Sequence, residues 1–228
     1  MKRSVVLLLL LCSLTFVRST FPAEPTHKVE VLKEAPTGLA PDIVASLNGQ
    51  GFRIAAAGKT ACDVWLAKTL PVKAGFKPTD TIKYSFTPGQ LIGAIRFPEK
   101  TIGGDYRGQE IEPGIYTLRY GLQPNDGNHL GTSDVRDFLL ACPAKKDIKP
   151  DVVAKKDDLF KLSSQSAGTT HPTIFLLLPP ADEPLKQPEL KHDDEKDLWI
   201  LGINVAAQAD DKPVQIPLRL VTIGKSAG

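Results

Sequence analysis

Polar and apolar residues alternate with a period of two along much of the chain, the spacing that puts successive side chains on opposite faces of a strand. In the run 115–122, Tyr116, Leu118, Tyr120 and Leu122 share one face. Ile82, Tyr84 and Phe86 alternate with Thr81, Lys83 and Ser85. The run 215–220 repeats the pattern, and Pro217 within it marks an edge strand or a bulge. Further apolar segments at 52–56, 62–70, 91–97, 135–142, 173–178 and 198–206 are bounded by Gly, Pro, Asn and Asp, the residues of turns. About nine strands result. Helix is scarce. One short helix is predicted over 41–47, with Pro41 at its first position, and another over 157–165, with Gly168 beyond its end. No segment holds a helical apolar stripe through several turns. The predicted fold is all-β: an antiparallel β-sandwich-like domain with one or two short helices.

The first residues break this pattern. Met1, Lys2 and Arg3 precede an apolar run over 4–17 that is too short to span a bilayer, the form of a secretory signal peptide with cleavage after Ser19. Leu9, Leu10, Leu11 and Cys12 faintly resemble a lipoprotein signal, but a small residue is expected where Leu11 stands. The expectation is an exported chain, periplasmic or extracellular, with a single domain over 20–228 and no transmembrane segment after cleavage. Exposed connections are expected near 144–158, rich in Lys and Asp, and 179–197, which holds the charge run 191–196.

Export also changes the charge. The chain has 28 Lys and Arg against 26 Asp and Glu; Lys2, Arg3 and Arg18 fall in the leader, which leaves 25 against 26. No basic excess remains to favour nucleic acid. Two cysteines follow the leader, Cys62 and Cys142. In an oxidising compartment they can pair across a long loop or stand as two buried thiols, and pairing is the expectation.

The densest polar region runs from Gly103 to Asp137. Pro113-Gly114 and Asp126-Gly127 carry turn chemistry. Around them lie Asp105, Arg107, Asp126, Asn128, His129, Asp134 and Arg136, the candidate ligand-binding residues of loops on a rigid β scaffold. Mixed charges with Asn and His suit a polar ligand: sugar, peptide carboxylate or metal. A metal reading draws on His129, Asp126 and His171, although the loop lacks the calcium-binding EF-hand series. There is no Gly-x-Ser-x-Gly elbow, phosphate-binding loop or His-Glu-x-x-His helix. Trp65 and Trp199, flanked by Val64, Leu66, Leu198 and Ile200, read as core rather than as sugar platforms.

The segments Gly104-Asp105-Tyr106-Arg107-Gly108, 113–120 and Asp126-Gly127-Asn128-His129 resemble a family of exported bacterial proteins of unknown function. The resemblance implies a bacterial envelope setting and supplies no activity or cofactor. The expected function is a non-catalytic binding or structural module, contacting a polar small ligand or an envelope protein through loops 103–108 and 123–137. The alternatives are a metal-dependent protein or enzyme and, third, a carbohydrate-binding module.

Overall fold

The alternation along the chain becomes the two faces of one sheet. The computed structural model describes residues 26–100, 104–126 and 133–226. In chain order the first half gives β1 (His27–Leu32), α1 (Pro41–Ser46), β2 (Leu47–Ala56), β3 (Lys59–Ala67), β4 (Leu70–Val72) and β5 (Leu91–Phe97). Then follow β6 (Gly114–Leu122), β7 (Asp137–Pro143), α2 (Lys156–Ser164), β8 (Ile174–Leu178), β9 (Glu189–Asp193), β10 (Leu198–Ala209) and β11 (Lys212–Ile223). The sheet runs β1-β2-β3-β5-β6-β7-β8-β11-β10-β4, with β9 beside β10. The pairings are antiparallel except that of β4 with β10. The chain is mainly β, as its alternation predicts. The leader read over 1–19, with Cys12, lies outside the described residues. Among those residues no helix is long and apolar enough to cross a membrane.

Inward side chains from most strands meet in one core: Ile54, Val64, Ile95 and Leu118 from one side, Ile203, Val205 and Leu220 from the other. Where the sheet's ends approach, His27 of β1 stacks on Trp199 of β10 at 3.8 Å, and His192 of β9 stacks on it at 4.4 Å. The outward face is covered as well. Helix α1 and the segment before it close over Trp65, whose indole N–H donates to Glu34 O at 2.8 Å. Helix α2 and residues 143–155 close over β6 and β7.

Three buried polar clusters tie the fold together, and the third of them holds this second layer. Asp63, buried on the outward face of β3, accepts from Arg53 (2.8 Å) and Arg96 (2.5 Å), and Arg96 lies over the Trp65 ring. Asp137 accepts from the Lys83 and Tyr84 N–H groups (2.8 and 3.2 Å) and from the Tyr120 hydroxyl (2.6 Å). Burial pushes its carboxyl above the usual range, and these donors oppose that shift. Arg119, 1% exposed, spends its whole guanidinium on the strap 143–155 and on Gly89.

Four expectations change. The alternating segment 81–86 is extended but not a strand: Tyr84 and Phe86 point inward, yet its amides bind the Asp137 side chain instead of a neighbouring strand. Alternation reports which way side chains face, not whether the backbone is paired. The connection 144–158 is partly buried, with Asp147 5% exposed under Arg119. The connection 179–197 contains β9. Cys62 and Cys142 are free, buried thiols rather than a disulfide. Cys62 faces the central core and Cys142 the opposite face, beneath α2. Strands β5 and β6 stand between theirs, roughly 14 Å at ordinary strand spacing, about twice the reach of a disulfide.

Candidate functional site

Parts of the two loops singled out in the sequence, Tyr106 with Arg107 and Gln123 with Pro124, border a groove over the outward face of β6, β7 and β8. Its volume is about 980 Å³, at the upper end for small-ligand sites. The floor is apolar, formed by buried Phe138 and Leu140 of β7 and half-buried Ile174 of β8; Leu122 of β6 borders it, its side chain packed toward the central core. Gly121 keeps it low, because a Cβ there would stand 2.2 Å from Leu140 Cδ1. Leu140 lies in the space that a side chain at position 121 would take.

One wall is α2. At 3.6 residues per turn, Asp157, Phe160, Lys161 and Ser164 fall on one face and line the groove. Leu159 and Ser163 fall on the other face and are buried against the sheet. Ser163 fixes the helix in place. Its Oγ lies 2.9 Å from Ala141 O and 3.1 Å from Thr173 O, and it accepts from the Thr173 N–H at 3.0 Å. Ser166 adds a bond to Ala141 O at 2.8 Å.

The opposite wall is the turn 104–109. Strand β8 divides its pairing, Ile174 to Leu176 with β7 and then Leu177 and Leu178 with β11, so one edge of Ile174 is left for this turn. The Tyr106 N–H donates to Ile174 O at 2.9 Å, and the Ile174 N–H donates to Asp105 at 3.0 Å. Arg107 is thereby held at the rim, exposed to solvent. Residues Thr169 to Pro172 close one end, with Gln123 and Pro124 at another part of the rim.

The predicted site residues separate into distinct roles. Arg107 and His171 line the groove and are exposed. Asp105 does not contact solvent: it is wholly buried and accepts from the Arg107 and Gln109 N–H groups and the Gln109 amide as well as from Ile174. It builds the turn that carries Arg107 and is no ligand contact. Arg136 ties loops together, its Nε donating to Gln123 O at 2.8 Å. Asp134 is exposed, 3.6 Å from Lys196, and Asp126 is exposed at the edge of the described segment. Asn128 and His129 lie outside the described residues. Among the described residues no three His, Cys, Asp or Glu gather as a metal-binding group. Trp65 is buried and Trp199 is half-covered in its histidine stack, so neither presents an open ring to a sugar.

Phe160, Lys161 and the floor were not anticipated as site residues. The helix predicted near 157–165 carried the one local signal: an aromatic and a lysine on the face away from Leu159. No protein-family model, no curated protein and no solved structure matches this chain.

Proposed function

We propose that this chain is an exported, non-catalytic binding module of the bacterial envelope and that its ligand lies in the groove between α2 and the turn 104–109. The observation that carries this reading is an apolar floor on which Ile174 stays half-exposed beside Phe160, Pro124 and Pro172, with Phe138 and Leu140 buried beneath, between two walls that are each hydrogen-bonded to the sheet. Such a floor costs solvation free energy when wet, and a ligand that covers it recovers about 25 cal/mol per Å² of apolar surface. Both walls are fixed before any ligand arrives, which lowers the ordering cost of binding.

The lining favours holding over reacting. Ser164 donates to Lys161 O at 3.0 Å rather than to His171, so these two do not form a hydroxyl–base pair. The expectation of a polar ligand is thereby sharpened to one with a substantial apolar part.

An uncharged reporter, N-phenyl-1-naphthylamine, tests the site. Its emission should rise to saturation at one molecule per chain. Ser164→Trp, which places an indole in the groove from the last turn of α2, should abolish that rise without lowering the thermal midpoint. Undiminished binding in this variant, or no binding in the parent, would refute the proposal.

A further inference from the structure

We infer that the groove is built for an amphipathic anion: a monocarboxylate whose apolar body lies on the floor and whose carboxylate meets Arg107 and the lysines of α2. This rests on the reading of the groove as a ligand site and adds the chemistry of the occupant. Three cations stand on the rim, Arg107 on the turn wall and Lys156 and Lys161 on the helix wall, against one carboxylate, Asp157. None of the three forms an ion pair with any described residue. With His171 neutral the rim carries a formal excess of two positive charges above an uncharged floor.

Each simpler ligand leaves part of that arrangement without use. A purely polar anion would leave the half-exposed apolar surface of Phe160, Pro172 and Ile174 wet. A neutral apolar molecule would gain nothing from the rim, and an apolar cation would meet net repulsion there. An anion with an apolar body satisfies both surfaces at once. Arg107 adds geometry, because its planar fork matches a carboxylate with two parallel hydrogen bonds. Asp105 fixes the backbone that carries it, accepting from the Arg107 N–H at 2.9 Å. On the helix, Lys156 lies with its ammonium 5.2 Å from the Phe160 ring centre, at the margin of the apolar surface.

Displacement of N-phenyl-1-naphthylamine by three decyl compounds below their micellar range separates the classes. Decanoate should displace the reporter at a concentration about tenfold lower than decanol, the worth of one charge-assisted hydrogen bond. Decyltrimethylammonium should be the weakest. In the double variant Arg107→Gln/Lys161→Gln, decanoate and decanol should become equal to within about twofold, with the thermal midpoint unchanged. Raised salt should erode the decanoate advantage and leave decanol unaffected. Equal displacement by decanoate and decanol in the parent, or a preference that survives in the double variant, overturns the anion assignment while the bound reporter upholds the groove. A parent that binds no reporter and shows no calorimetric heat with decanoate overturns both.

Discussion

Removing the carboxylate of Asp147 should be among the most damaging single changes in the molecule. Arg119 is 1% exposed and Asp147 5%. The guanidinium donates to Asp147 through Nε (2.6 Å) and Nη2 (2.7 Å). Its remaining donors reach Gly89 O (2.8 Å), Asp151 O (2.7 Å) and Lys149 O (2.6 Å). Asp147 also accepts from the Thr117 hydroxyl. In Asp147→Ala the cation stays buried without its counter-charge, which costs about 3–5 kcal/mol. Arg119→Met should cost a similar amount, because it strands the carboxylate and removes the donor from three carbonyl oxygens. The double variant leaves no unpaired charge, so its cost should fall short of the sum of the singles by about 1–3 kcal/mol. Urea unfolding followed by tryptophan emission measures all three, provided the slope with denaturant is unchanged. The same strap leads into α2, so reporter binding in the groove should weaken in Asp147→Ala well before global unfolding. A loss below about 1 kcal/mol in Asp147→Ala, or additive single effects, would refute the account of Arg119 as a buried clamp.

Two further outcomes are expected. Cys62 and Cys142 should show no reaction with a thiol reagent in the folded protein and two equivalents in urea; burial raises both thiols well above their ordinary range, and an intact mass two hydrogens short would contradict this. His192 should titrate above an ordinary histidine because it is bonded to Asp197 and lies near Asp194, while His27 should titrate below, chiefly because it is partly desolvated and then because His192 is close. The signs are opposite: stability from His192 is present below its unfolded pKa and lost as pH rises through its raised folded value, whereas stability from His27 is present above its unfolded pKa and lost as pH falls through its depressed one. Proton-detected titration of the two rings in the native protein checks the order, and coincident midpoints would count against it.

Strand faces were legible in the sequence because alternation is a local signal. Tyr116, Leu118 and Tyr120 point inward as their spacing requires, and even 84–86, which is not a strand, buries its alternate residues. Strand β1 was not legible: Val29 and Val31 alternate with charged residues, but only Val29 packs on the core, Val31 being 47% exposed, and the segment is completed by its pairing with β2. Arg119 shows the limit more sharply. A charged residue in an alternating strand reads as solvent-facing, and nothing local reveals that residues 143–155 return to cover it. That return also explains why a Lys- and Asp-rich stretch reads as a solvated connection although its Asp147 and the carbonyls of Lys149 and Asp151 are bonded to buried Arg119. The groove depends on the same kind of distant return. Arg107, Leu140, Phe160 and His171 belong to four separate stretches, and only the division of β8 between β7 and β11 brings them to one place.

The order of strands in the sheet has a bearing on how the protein comes to be made. Strands β1, β2 and β3 pair in sequence, as do β5 to β8, so these ladders can form as the chain lengthens. Two closures cannot. Strand β4 waits for residues 207–209, and the core side chains Ile54, Val64, Ile95 and Leu118 wait for Ile203, Val205, Leu218 and Leu220. Until the β10–β11 hairpin is complete, an emerging chain carries a broad apolar face with nothing on it, the state in which nascent proteins stick to one another or are degraded. Substitutions in 198–223 should therefore reduce the yield of soluble protein out of proportion to their effect on the stability of molecules that have already folded.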